Sequence, residues 1–152
     1  MKADTRMFGE IDIEDSKIIH LEQGIVGFPD MKDFALIFDA DRGEESVIKW
    51  FQSMDDPVFA MPVLEPHAMA EDYAPAISDE LCGTLGGLTQ ENVFLLVTVT
   101  VPENIEEISI NLKAPIVINT DNNQAAQVIM EQDYPVKYKI YDRIKRDSKE
   151  GE

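Results

Sequence analysis

The sequence predicts a mainly β domain, a sandwich or a barrel, with one or two short helices in the middle of the chain. Three observations predict it. Apolar residues recur with a period near two, many short apolar runs are separated by Gly, Pro, Asn and Asp, and helical signals fall only between Pro66 and Gly87. A period of two sends alternate side chains to opposite faces of a strand, whereas a helix needs apolar residues three and four apart.

The strand candidates of the first half are Met7 to Ile13, Lys17 to Leu21, Phe34 to Phe38, Val47 to Phe51 and Val58 to Leu64. Between the third and fourth lies Asp39-Ala40-Asp41-Arg42-Gly43-Glu44-Glu45. It begins like a calcium loop, but its glycine falls one place early and the closing glutamate is missing, so it reads as a connection between strands. Proline is pre-set for a first helical position, and Pro66 therefore starts a short helix through Tyr73. Ser78 is an N-cap followed by Asp79 and Glu80, which favour the positive end of a helix. Ile77 and Cys82 occupy the two places of a hydrophobic staple, and Gly83, Gly86 and Gly87 weaken and end the helix.

Strands resume at Val93 to Val101, which reads as buried on both faces at its start and half-exposed at its end. Ile108 to Lys113 alternates cleanly, which places Ile and Leu inside and Ser109, Asn111 and Lys113 toward water. Ile116 to Asn119 and Ala125 to Met130 flank an Asp-Asn-Asn turn and form a hairpin, since Asp and Asn tolerate left-handed backbone. Lys137 to Tyr141 is the last candidate. From Asp147 onward no apolar residue anchors the chain. The expected organisation is one domain over residues 1–146 and a disordered tail over 147–152.

The 152 residues are 44% hydrophobic and 28% charged, enough apolar content for a core. The formal charge is −17. Residues 137–152 hold six bases and four acids, so the body before them holds seven bases and 26 acids and carries −19. Such a field repels phosphate backbones and anionic lipid, and argues against direct contact with nucleic acid or a membrane surface. One cysteine makes no internal disulfide and no multi-cysteine zinc site, which suits a reducing cytoplasm. Neither a leader's apolar core nor an 18-residue apolar run is present.

Catalytic chemistry is thinly represented. His20 lies between Ile19 and Leu21 and reads as an outward polar position on a strand, and His67 reads as a capping or surface residue. Cys82 reads as a small buried hydrophobe. The glycines of Gly83-Thr84-Leu85-Gly86-Gly87 lack the Lys-Ser/Thr ending of a phosphate loop. Asp55-Asp56-Pro57 reads as a turn between strands, flanked by Trp50, Phe51 and Phe59. An exposed aromatic beside such acids would mark a binding hot spot.

Four segments in order resemble the FliW family of bacterial flagellar assembly factors: Gly24 to Asp30, Phe51 to Met61, Asn111 to Asn119, and Gln127-Val128-Ile129 with Tyr134 following. The resemblance runs from about Ile11 to Ile140. It implies a small, mostly antiparallel barrel-like fold and a cytoplasmic, non-enzymatic protein; the lack of a ligand cluster in the sequence separately predicts no cofactor or metal. It further implies two partners, flagellin before export and the RNA-binding translational regulator CsrA, and thereby a coupling of flagellin synthesis to secretion. Asn111, Pro115, Asn119, Gly24, Gly27 and Pro29 have backbone reasons for their places. The candidate partner-binding residues are Gln52, Asp55, Asp56 and Pro57, read as polar loop positions beside aromatics. Two other classes compete: an acidic mimic of nucleic acid that binds basic proteins, and a small enzyme using Cys82 or His67.

Overall fold

A computed structural model describes residues 2–5, 9–37 and 48–144. Among the described residues the strands are β1 (Lys2–Thr5), β2 (Gly9–Asp12), β3 (Ile19–Leu21), β4 (Asp33–Ile37), β5 (Lys49–Ser53), β6 (Ala60–Leu64), β7 (Val93–Thr100), β8 (Ser109–Ile110), β9 (Ile116–Asn119), β10 (Gln124–Gln127) and β11 (Tyr138–Lys139). The helix α1 (Asp79–Thr84) follows its Ser78 cap, whose Oγ accepts the Leu81 N–H at 3.1 Å.

Among the described residues, β3, β4, β5, β6, β7, β9 and β10 pair in that order, and β10 returns to β3 to close a seven-stranded barrel. Every contact is antiparallel except β10 with β3. Among the described residues, closure gives every strand of the barrel a neighbour on both sides, which answers the self-association hazard of open sheets. The long strand β7 runs on past the barrel, pairing with β9 through Val93–Leu96 and with β8 through Val99 and Thr100. β11 pairs with β8 outside the barrel, and β1 with β2 forms a separate ribbon.

Two cores share the β6–β7 wall. Leu21, Phe34, Phe51, Val63, Leu96 and Ile118 fill the barrel. Leu64, Val97, Val99, Ile110, Leu112 and Ile140 pack on the other face of the same wall. Adjacent residues of one strand, Leu96 and Val97, are therefore both fully buried, each in a different core.

The burial pattern corrects two expectations. The most buried part of β7 is its middle and not its start, and Ser109, on the face of β8 opposite Ile110, is 2% exposed where alternation placed it in water. Asn111 and Lys113 are half-buried, and Lys113 donates from Nζ to the Gln132 carbonyl.

Several element assignments also change: the strand expected over Ile108 to Lys113 is only Ser109–Ile110, and the one expected over Ala125 to Met130 is Gln124–Gln127. Lys17 ends a 3-10 turn (Asp15–Lys17) rather than opening β3, and the helix expected from Pro66 to Tyr73 is one 3-10 turn, Pro66–Ala68, whose N-cap residue Glu65 makes no side-chain capping hydrogen bond. The strand expected through Tyr141 ends at Lys139, and residues 141–144 make a helical turn. β1 had no forecast. The segment Asp39 to Glu45, residues 7 and 8 of the first strand candidate, Phe38, Val47 and the tail from Asp147 lie outside the described residues.

Candidate functional site

Two loops at one rim of the barrel interlock. The first leaves β3 and turns tightly: Phe28 N–H donates to the Ile25 carbonyl at 2.7 Å and Ile25 N–H to the Phe28 carbonyl at 3.2 Å. Gly24 precedes this turn at φ +71°, a conformation that costs an L side chain strain. The Val26 N–H donates to Gln127 Oε1 at 2.8 Å, and Gln127 Nε2 donates to the Ala114 carbonyl, so the turn is tethered to β10 and the approach to β9.

The second loop joins β5 to β6. Ser53 Oγ accepts the N–H groups of Asp55 and Asp56, both at 3.0 Å, and Asp56 Oδ1 accepts the Val58 N–H. Asp55 Oδ2 accepts the N–H groups of Lys32 and Asp33 at 2.9 and 3.0 Å, which locks the second loop to the first. An aromatic ladder makes the same connection. Phe28 packs on Phe59 with centroids 4.9 Å apart, Phe59 meets Phe34 edge-on at 6.2 Å, and Phe34 stacks on Phe51 at 4.4 Å in the barrel core.

The four candidate residues are thus brought together, but their roles divide. Asp55, half-buried Asp56 and exposed Pro57 lie in the loop. Gln52 does not: it is a β5 residue on the face opposite Phe51 and is fully buried. Its Nε2 donates toward the carbonyls of Ser53, Phe59 and Pro57 at 2.9, 3.1 and 3.3 Å, and its Oε1 is buried with no partner. Gln52 therefore holds the loop from beneath and offers no surface of its own.

Phe28 had not been singled out. It is 49% exposed, as is Val26, and Val58 is 60% exposed. Together with Pro29 and Pro57 they make an apolar rim among Glu22, Asp30, Asp55 and Asp56. An aromatic inside a Gly-x-Pro turn, outside any alternating run, was the available signal, because such a position buries a ring only if another element covers it.

On the outer face of the same rim, His20 Nδ1 lies 2.8 Å from Asp33 Oδ1 and Nε2 lies 3.0 Å from Glu22 Oε2. The hydrogen bond to Asp33, then that to Glu22, raises the imidazole above its ordinary 6.5, and His20 in turn lowers Glu22. The sign follows from which form the fold prefers. The His20 contribution is complete below pH 6.5, the unfolded value, and is lost as pH rises through the folded value. Wild type should therefore lose about 0.2–1 kcal/mol on going from pH 6 to pH 8.5, the range for exposed pairs. Denaturant midpoints at both pH values test this, and His20→Gln should flatten the difference; an equal loss in the variant would assign it elsewhere.

His67 Nε2 donates to the Tyr73 carbonyl at 2.8 Å, and Cys82 is half-buried on α1 rather than enclosed. Among the described residues no hydrogen bond joins these two, and no group of three His, Cys, Asp or Glu side chains converges as a metal ion would need. Asn111 Oδ1 accepts the Lys113 and Ala114 N–H groups, and Asn119 Nδ2 donates to the Leu85 carbonyl at 2.7 Å, so both motif asparagines shape backbone.

Fold and rim together define a class: a closed, mostly antiparallel β-barrel that displays two interlocked loops. The FliW protein family matches over residues 2–140. Flagellar assembly factor FliW of Lachnospira eligens is 40% identical over 149 residues, 97% of this chain and 99% of the relative. That of Lachnoclostridium phytofermentans is 38% identical over 146 residues, covering 95% and 94%. A crystal structure of the flagellar assembly factor FliW superposes with a TM-score of 0.83 at 30% identity, covering 93% of this chain and 97% of that one. The chain belongs to the FliW family of flagellar assembly factors.

Proposed function

We propose that the protein acts in the cytoplasm by binding and not by catalysis, holding flagellin before export and sequestering CsrA when flagellin has been secreted. Release of flagellin then frees the protein to relieve CsrA's repression of flagellin translation. Family membership carries this reading. Two physical facts support it: a −17 chain is suited to attracting a basic RNA-binding protein, and an exposed aromatic between acidic loops suits a protein contact better than a small-molecule cleft.

The test is association kinetics with purified CsrA. Raising salt from low to physiological should slow association about tenfold and change dissociation less, because screening acts on separated charges while a packed contact excludes ions. Replacing Asp55 and Asp56 together by Asn should slow association further if the loop steers the encounter, and RNA release by CsrA should weaken in parallel. Unchanged rates in the double variant would exclude the loop from the interface. Salt-independent association of the wild type would remove the electrostatic argument.

A further inference from the structure

A second docking feature lies along β10 and the segment that continues it, past the Gln127 side chain that tethers the first loop. In the β9–β10 pairing Gln127 opposes Ile116, and the ladder continues as Val128 N–H donates to the Pro115 carbonyl and Met130 N–H to the Lys113 carbonyl. Even-numbered residues therefore bond toward β9, and odd-numbered residues direct N–H and C=O the opposite way. On that opposite side β3 pairs only with Gln124 and Ala125. Among the described residues, nothing hydrogen-bonds the backbone N–H or C=O of Ile129 or Glu131. Closing the barrel leaves this short stretch, which continues β10 beyond Gln127 and bends at Glu131, as an open backbone edge.

A groove of about 440 Å³ lies against the edge, with Ile77 and Leu81 of the α1 region on one wall and Val128 and Met130 on the other. Ile129 is 62% exposed beside it. One end already carries a substitute for a strand. Gln132 Oε1 accepts the Ala76 N–H at 2.7 Å and Gln132 Nε2 donates to the Ala74 carbonyl at 3.2 Å, so a side-chain amide pairs with extended backbone as a peptide group would. The charge around it is mostly negative: Glu131 lines the groove, Asp79 and Glu80 open α1, and Asp133 follows Gln132. The nearby cation, Lys113, has its Nζ on the Gln132 carbonyl.

We propose that the edge at Ile129–Glu131 takes up an extended partner segment in which apolar residues alternate with Lys or Arg. The partner's backbone pairs with Ile129 and Glu131, its apolar side chains enter the groove, and its cations meet the acidic rim. This is strand addition, with main-chain hydrogen bonds giving affinity and alternate side chains giving selectivity. It does not depend on the identity of CsrA or flagellin as partners.

The probe is a capped nine-residue peptide alternating Val and Lys, titrated by fluorescence anisotropy, beside a Val/Glu peptide and a Val/Lys peptide N-methylated at alternate residues. Wild type should bind the plain Val/Lys peptide at least tenfold more tightly than either, and amide exchange at Ile129 and Glu131 should slow on binding. Ile129→Pro removes one edge N–H without changing charge and should weaken binding about tenfold. Leu81→Lys, which leaves the edge intact and places a cation in the groove, should do the same and covers the case in which the proline variant fails to fold. Equal binding of the N-methylated peptide, or wild-type binding by folded variants, would reduce the interaction to charge attraction and overturn the proposal. Slowed exchange confined to the Asp55–Val58 loop would also overturn it.

Discussion

Gly24→Ala should destabilise the protein by about 3 kcal/mol, while Gly27→Ala three residues away should cost about 1 kcal/mol. Both glycines have positive φ, +71° and +89°, so both substitutions carry backbone strain. Only the first also collides. A Cβ on Gly24 would lie 2.5 Å from the Pro29 carbonyl oxygen and 2.7 Å from that of Phe28, whereas a Cβ on Gly27 meets nothing within 4 Å. The obstructing atoms are backbone and cannot rotate aside, so the Ile25–Phe28 turn must open. Opening it withdraws Phe28 from Phe59 and shifts Val26 from Gln127. Chemical denaturation of both variants measures the difference directly. Equal midpoints would mean that the turn relaxes freely and does not hold the apolar rim.

Gln52→Ala should cost about 3 kcal/mol, from a cavity and from three carbonyls that lose a shared donor. Ser53, Pro57 and Phe59 carbonyls converge on one Nε2, so the β5–β6 loop is pinned at three points along its length. Gln52→Leu keeps most of the volume and should cost about 1–2 kcal/mol, because the buried Oε1 without a partner is removed along with the donor. Amide exchange adds a readout specific to the loop. The N–H groups of Asp55, Asp56, Val58 and Phe59, protected in wild type by Ser53 and Asp56, should exchange faster in both variants, and more in Ala. If the Leu variant is as unstable as Ala, the carbonyl contacts rather than the cavity set the cost. If loop exchange stays at the wild-type rate in both, Gln52 is not what holds the loop.

Both predictions concern residues whose importance was only half legible. Gly24 and Gly27 were readable as turn formers from local chemistry, and they differ only in what lies across the turn. Gln52 was readable as a neighbour of the acidic loop, yet it was placed on the surface. A glutamine in a short strand is ambiguous: alternation with Phe51 says it faces away from the core, and only the loop folding back over it makes that face an interior.

The same distinction runs through the fold. Local rules were sufficient for the Ser78 cap, for the Asp121-Asn122-Asn123 turn with Asn123 at φ +57°, and for most strands of the barrel. They failed along β7, where a second core covers the outer side of a barrel wall and burial no longer follows a period of two, and at Ser109, which is buried although it faces away from Ile110. They also overextended the helix after Pro66, since a favourable start does not supply the packing that prolongs a helix.

By itself the sequence determined a mainly β chain, its turn positions, its strong negative charge and its family, because each is written in nearest neighbours, in spacing or in composition. Tertiary structure alone decided that the strands close into a barrel, that Asp55 clamps Lys32 and Asp33, that Phe28 stays half in solvent, and that the edge at Ile129 is left unpaired. These depend on contacts between segments far apart in the chain, and whether a group is paired or covered is a property of the partner that arrives, not of the residue that waits for it.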